Sequence, residues 1–170
     1  PGDIIAIDGK TLRRTFDTAA NKAAIHMVSA WAAGQGLCLG QVATDAKSNE
    51  ITAIPRLLQV LALRDHIVTI DAMGCQKEIA RTIHERGGAY VLSLKGNQGR
   101  LHDDIRTFFE DARAHTFQDL PHTTAETVDG DHGRVEIRRA WATDQIAWLA
   151  DRDRWPGLRS VVLVEAERQV

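Results

Sequence analysis

Two short apolar runs in this chain each stop on an aspartate followed by a small residue: Asp3-Ile4-Ile5-Ala6-Ile7-Asp8-Gly9-Lys10 and His66-Ile67-Val68-Thr69-Ile70-Asp71-Ala72-Met73-Gly74. Residues 3–8 have the continuous apolar character of a central strand buried on both faces, and Ile67 to Asp71 is a strand of the same kind. Between them, Ile25 to Trp31 and Leu37 to Ala43 are strand candidates joined through Ala33-Gly34-Gln35-Gly36, which reads as a hairpin turn. The first three strands are therefore expected to be antiparallel neighbours.

Helical spacing begins after Lys47-Ser48-Asn49-Glu50, with apolar residues at Ile51, Ile54, Leu57, Leu58 and Leu61. Ser48, Asn49 or Thr52 can cap this helix. Pro55 argues for a start at about Thr52, because proline is tolerated in a first turn, where its absent N–H has no partner. Gln76 to Arg86 carries Ile79, Ala80 and Ile83 on one face and stops at Gly87-Gly88. A fifth strand, Ala89 to Leu94, leads through Lys95-Gly96-Asn97-Gln98-Gly99 into a helix from about Arg100 to Arg113, whose apolar side holds Leu101, Ile105, Phe108 and Phe109.

The stretch from Leu120 to Val164 reads differently. Asp129-Gly130-Asp131 is a turn signal, residues 132–139 alternate Val135 and Ile137 with charges as a half-exposed strand does, and residues 160–165 form the last strand candidate.

The resulting order, β-β-β-α-β-α-β-α, is that of the ribonuclease-H-like fold, an α/β fold built on a mixed sheet. In that fold the first and fourth strands are adjacent, which by analogy brings Asp8 and Asp71 together. The expected organisation is a ribonuclease-H-like core over residues 1–119, followed by an inserted β-rich region of the same domain over residues 120–170, with the chain truncated before the final catalytic helix. A carboxylate at the carboxyl end of a buried strand is where α/β sheets place metal-binding and catalytic groups. For either aspartate alone, the competing reading is an ordinary cap or turn. Two such residues suggest one shared divalent cation.

Composition bounds these readings. The chain has 170 residues, 44% of them hydrophobic and 26% charged, enough for one domain with a real core. No apolar stretch reaches the ~18 residues that span a bilayer and no leader precedes the first strand, so the expected location is cytoplasmic, with no membrane partner. Cys38 and Cys75 have neither CxxC spacing nor a histidine at ligand spacing, and read as free thiols rather than a zinc site. A net charge of −2 lacks the basic excess of a nucleic-acid binder. The opening on Pro1 and the stop shortly after an apolar run point to an excised segment, with any separate DNA-binding domain outside it.

Six short stretches occur together in order: Asp8-Gly9-Lys10-Thr11-Leu12-Arg13-Arg14, His26-Met27-Val28-Ser29-Ala30-Trp31, Lys47-Ser48-Asn49-Glu50-Ile51, Thr69-Ile70-Asp71-Ala72-Met73-Gly74-Cys75-Gln76, Leu94-Lys95-Gly96-Asn97-Gln98 and His132-Gly133-Arg134-Val135-Glu136. As a set they closely resemble the DDE transposases of bacterial insertion sequences, in the group that includes the H-repeat-associated proteins of Rhs elements. The resemblance covers residues 3 to about 140. It implies a core that cuts and rejoins DNA, the ends of the element and the target being its partners, with two divalent metals, Mg²⁺ or Mn²⁺, held by two aspartates and a glutamate. Asp8 resembles the first acid and Asp71 the second. The family's glutamate stretch, His-Trp-x-Ile-Glu-Asn, has no match here, so the third acid is expected beyond Val170 and the segment alone is expected to be catalytically incomplete.

Two residues compete for that third role. Glu136 lies in the family-like run but on a strand, where a solvated charge is the plainer reading. Glu50 lies near a helix start, where an acid also simply suits the helix dipole. Hard divalent ions prefer oxygen ligands, and a pair of them can activate an attacking hydroxyl and stabilise the leaving oxygen of an in-line displacement at phosphorus.

Lys10, Arg13 and Arg14 follow Asp8 and can contact phosphates, against the reading of a solvated loop. Lys95, Asn97 and Gln98 close the fifth strand at the same sheet edge and are candidates for DNA contact, although Gly96-Asn97 is also a good turn pair. Trp31 is expected in the core. None of the histidines is assigned a role, and homo-oligomer formation is left open. A rival reading notes that residues 6–11 are similar to the Asp-x-Asp-Gly-Thr start of haloacid-dehalogenase-type phosphatases, but Ala6 stands where that nucleophile belongs and Lys10 is extra. The non-enzyme alternative is an inactive transposase remnant that acts only in DNA or protein binding.

Overall fold

A computed structural model describes residues 2–12, 15, 24–44, 50–131 and 134–169. Arg13, Arg14, Lys47, Ser48, Asn49, His132 and Gly133 lie outside the described residues. The chain divides into two compact units, residues 1–98 with 154–157, and residues 99–153 with 158–170.

The first unit runs β1 (Ile4–Thr11), β2 (His26–Ala32), β3 (Leu37–Thr44), α1 (Glu50–Val60), β4 (Ile67–Ile70), α2 (Lys77–Glu85) and β5 (Ala89–Leu92). Its strands lie in the order β3-β2-β1-β4-β5. The β1–β2 and β2–β3 pairs are antiparallel and the β1–β4 and β4–β5 pairs parallel. Chain geometry accounts for this mixture: a tight turn at 33–36, with Gly36 at φ +65°, returns β3 antiparallel to β2, whereas parallel neighbours need a long crossover, which α2 supplies between β4 and β5.

Side-chain alternation divides the sheet into two faces. Ile5 and Ile7, Val28 and Ala30, and Val68 and Ile70 point to one face, where Ile54, Leu57 and Leu58 of α1 and Ile79 and Ile83 of α2 pack on them. Each of these buried Ile and Leu side chains contributes roughly 1.5–3 kcal/mol relative to exposure. Both helices of the unit thus serve the same face. On the other face stand Ala6, Asp8 and Lys10 of β1, Ser29 and Trp31 of β2, and Val91 of β5. Trp31, expected in the core, is 46% exposed. Its neighbours Ala30 and Ala32 take the buried positions of β2, and alternation turns Trp31 the other way.

Helix α1 begins at Glu50, upstream of the expected Thr52, and Pro55 lies in its second turn. Tertiary anchoring outweighs the local penalty, since Glu50 is 2% exposed and bonded to His26.

The second unit contains α3 (Arg100–Ala114) and an antiparallel sheet β6-β7-β8, formed by Thr123–Asp131, Arg134–Thr143 and Val161–Gln169. Asp129-Gly130-Asp131, expected to be a turn, belongs to β6 and pairs along β7. Phe109, Phe117, Ile146 and Val161 form this unit's own core, with Phe117 stacked on Trp141 at a centroid distance of 5.3 Å. Among the described residues no helix is long and apolar enough to cross a membrane.

Candidate metal centre

Asp8 and Asp71 leave neighbouring parallel strands at the same level. Ile7 pairs with Ile70 in the β1–β4 register, and each aspartate is the next residue. Because Ile7 and Ile70 both point into the core, the period-two alternation turns Asp8 and Asp71 to the opposite face, on strands about 4.8 Å apart. The extended backbone of Asp71, at φ −67° and ψ −178°, carries that alternation one residue past β4. Both side chains are exposed.

Asp71 also performs the local task expected of an aspartate at a strand end. Its Oδ1 accepts from the backbone N–H groups of Met73 at 3.1 Å and Gly74 at 3.5 Å, capping a short 3₁₀ turn over Ala72–Gly74. Oδ2 has no hydrogen-bond partner among the described residues. Gly74 is required here, since a Cβ would lie 2.2 Å from Ile70 Cγ2. The turn is strapped from a second side: Asn97 Nδ2 donates to Ala72 O at 2.8 Å, and Gln98 Nε2 to Cys75 O at 2.6 Å. Asn97 and Gln98 therefore hold the Asp71 turn, and each amide nitrogen keeps one hydrogen for another acceptor.

Lys10 is exposed, two residues beyond Asp8 on the same face, and Lys95 is exposed beyond the end of β5. The two competitors for the third acid are engaged elsewhere. Glu50 is buried on the core side, bonded to His26 Nε2, while His26 Nδ1 and Thr11 Oγ1 are hydrogen-bonded at 2.9 Å. Gly9 leaves the room for this array, because a Cβ there would lie 2.2 Å from Glu50 Oε1. Glu136, in the second unit, accepts from Arg138 Nη2 at 2.8 Å and lies 3.5 Å from Arg168 Nε, a strand carboxylate in an ion-pair cluster. Among the described residues no group of three His, Cys, Asp or Glu side chains is placed to hold a metal ion. Burial pushes the Cys75 thiol up to about 11, which makes it a poor thiolate ligand at neutral pH.

Sequence reasoning passed over His26 on the core face and two polar residues on the Asp8 face. Ser29 is the cross-strand partner of Asp8, Gln41 is the partner of Ser29, and Gln41 Nε2 donates to Ser29 Oγ at 3.1 Å. The sequence carried no local signal for this row: a β-bulge at Ala30 and Trp31 shifts the register, so counting back from the 33–36 turn would set Ser29 against Gly40 rather than Gln41.

The chain belongs to the family defined by the transposase DDE domain, whose model matches residues 1–163. Among its relatives, an uncharacterised protein encoded 3′ of dhlA in Xanthobacter autotrophicus is 48% identical over 99% of this chain and 55% of its own length. The Escherichia coli O157:H7 protein named "Putative transposase YncI" is 45% identical over 99% of this chain and 43% of its own length. The Escherichia coli K12 protein named "H repeat-associated putative transposase YhhI" is 41% identical, with 99% of this chain and 44% of the relative covered. The chain thus spans about half the length of these curated relatives. No solved structure matches it.

Proposed function

We propose that this chain carries the first two acids of a divalent-metal-dependent centre that cleaves DNA and transfers its strands, on a ribonuclease-H-like sheet. The observation that supports the reading is the register of β1 and β4, in which Ile7 pairs with Ile70, so that Asp8, within β1, and Asp71, just past β4, are the next residues on adjacent parallel strands. Two hard oxygen donors suit Mg²⁺ or Mn²⁺, ions often held by one or two carboxylates with water and substrate phosphate completing the shell. When bound, the metal supplies the charge that activates the attacking hydroxyl and stabilises the leaving oxygen.

The chain's own residues supply position. Oδ1 of Asp71 is fixed by two backbone N–H groups, so its other oxygen has a defined direction for a ligand. Lys10, Arg13, Arg14 and Lys95 are the proposed phosphate contacts around the acids, with the spare amide hydrogens of Asn97 and Gln98 as further donors. The third acid is proposed to lie outside this chain, since Glu50 is spent on His26 and Glu136 on Arg138 and Arg168. On this reading the isolated chain binds metal but does not cut DNA.

The test is Asp8→Asn and Asp71→Asn in the full-length protein, assayed for Mg²⁺-dependent cleavage of DNA bearing the element ends. Cleavage is expected to fall below detection in both variants while DNA binding persists. Undiminished cleavage in either variant refutes the assignment. If the unmodified full-length protein binds DNA but never cuts it, the binding-remnant reading replaces this one.

A further inference from the structure

We infer that Ser29, oriented by Gln41, is a positioning residue for the Asp8 carboxylate. The inference rests on the acid-pair reading of Asp8 and Asp71 and extends the site sideways, across β2 to β3.

Asp8, Ser29 and Gln41 are successive register partners on three neighbouring strands, so their side chains stand in one row on one face. A serine hydroxyl has one hydrogen to donate and lone pairs to accept with. Gln41 Nε2 donates to Ser29 Oγ at 3.1 Å, so the serine is an acceptor in that bond and its own hydrogen remains unspent. The same-face neighbours across and diagonal to Ser29 on β1 are Ala6, Asp8 and Lys10, which follows from the pairing of Asp8 with Ser29. Ala6 and Lys10 have no side-chain acceptor. On its own strand Ser29 is flanked by Met27 and Trp31, whose side chains offer a weak thioether acceptor and a donor-only indole. Among the described residues Asp8 is therefore the strong side-chain acceptor that register places beside Ser29, although the structure shows no bond between the two. Directly opposed residues in an antiparallel pair have Cβ atoms about 4.5–5.5 Å apart, a separation that a hydroxyl and a carboxylate oxygen can close to hydrogen-bond distance.

With Ser29 donating to one oxygen of Asp8, the other oxygen is left for the cation, and the carboxylate loses the rotational freedom it would otherwise give up on binding. Asp71 has the same division of labour, one oxygen held by its turn and the other without a hydrogen-bond partner among the described residues. Outer-shell partners of this kind typically contribute 10–100-fold to metal affinity.

The experiment is Mn²⁺ titration of the 170-residue chain followed by the EPR signal of the free ion, with the thermal midpoint of each metal-free variant measured by circular dichroism. Ser29→Ala is expected to weaken Mn²⁺ binding about tenfold with the midpoint unmoved, and Ser29→Thr, which keeps the hydroxyl, to restore it. Gln41→Ala, which leaves the hydroxyl but not its orientation, is expected to cost less than Ser29→Ala. If Asp8→Asn loses Mn²⁺ binding while Ser29→Ala binds as the parent does, or if Ser29→Thr fails to restore affinity, the positioning role is overturned and the acid pair stands. If Asp8→Asn binds Mn²⁺ as the parent does, or the parent binds none, the acid-pair reading itself fails and this inference falls with it.

Discussion

Gly9→Ala should be among the most damaging single-methyl additions to this chain. A Cβ at Gly9 would lie 2.2 Å from Glu50 Oε1, 2.4 Å from its Cδ and 2.8 Å from His26 Nε2. On an exposed glutamate the carboxylate would swing aside at little cost. Here Glu50 and His26 are each 2% exposed, Glu50 bonds to His26, and His26 is bonded in turn to Thr11 on the same strand as Gly9. The methyl therefore has to break the buried pair or displace β1 from β2. Leaving a buried hydrogen-bonding group unsatisfied typically costs ~1–3 kcal/mol and overpacking ~1–3 kcal/mol, which together set an expected loss of about 3 kcal/mol. For a chain of this size that corresponds to a midpoint fall of roughly 6–12 °C, read by circular dichroism. Gly96→Ala is the control, because a Cβ there meets nothing within 4 Å and its effect should stay within about 1 kcal/mol. The double variant Gly9→Ala with Glu50→Ala isolates the cause: with the carboxylate gone, the added methyl should cost little more than Glu50→Ala alone. Additive losses totalling ~6 kcal/mol, or a Gly9→Ala chain as stable as the parent, would refute the steric argument.

The two thiols should separate cleanly, exposed Cys38 reacting with a thiol reagent at pH 8 while buried Cys75, its thiol pushed up to about 11, reacts only on unfolding; equal rates would contradict the burial. Alkali should destabilise the fold in two overlapping steps. Burial raises Cys75 from 9.0 to about 11 and Tyr90 from 10.0 to about 12, the latter helped by the charge of Cys75. The unfolded chain therefore releases these protons first, and stability should fall as pH rises from 9 towards 11 and from 10 towards 12. Urea midpoints across that range test the sign, and a midpoint that rises would overturn it. Asn97→Ala removes the bond to Ala72 O and should cost about 1 kcal/mol, with faster amide exchange confined to the turn after Asp71; unchanged exchange there would show that the strap is idle.

Much of the first unit was legible in the sequence because its signals are local and mutually consistent. β4 is an apolar run that stops before an aspartate, β1 opens as such a run although it continues past Asp8 to Thr11, and the 33–36 turn carries its own glycines. Elsewhere distant residues override local rules. Pro55 argued for a later start to α1, yet Glu50 begins the helix because a histidine 24 residues earlier binds it, a pairing that no window of sequence contains. β6, Thr-Thr-Ala-Glu-Thr-Val-Asp-Gly-Asp, holds little apolar alternation and ends in turn-forming residues, so its strand character comes from β7 beside it. Trp31 was misjudged by composition, since large aromatics are usually buried, although alternation with buried Ala30 and Ala32 already set it on the outer face. At the candidate site the aspartates stood out by position, whereas the Ser29–Gln41 bond emerges only once register is known.

The capping bonds of Asp71 bear on how such a chain decays. Only Oδ1 is used by the turn, and an asparagine carbonyl can accept the same two N–H bonds. Asp and Asn codons differ by one base, so a single transition can remove the charge at this position while the turn, the sheet edge and the fold persist. On the proposed reading, a copy altered in this way would lose one metal ligand and keep its fold. If Asp71 is a metal ligand as proposed, loss of chemistry and loss of structure are separable events at this position, and the first is one nucleotide away.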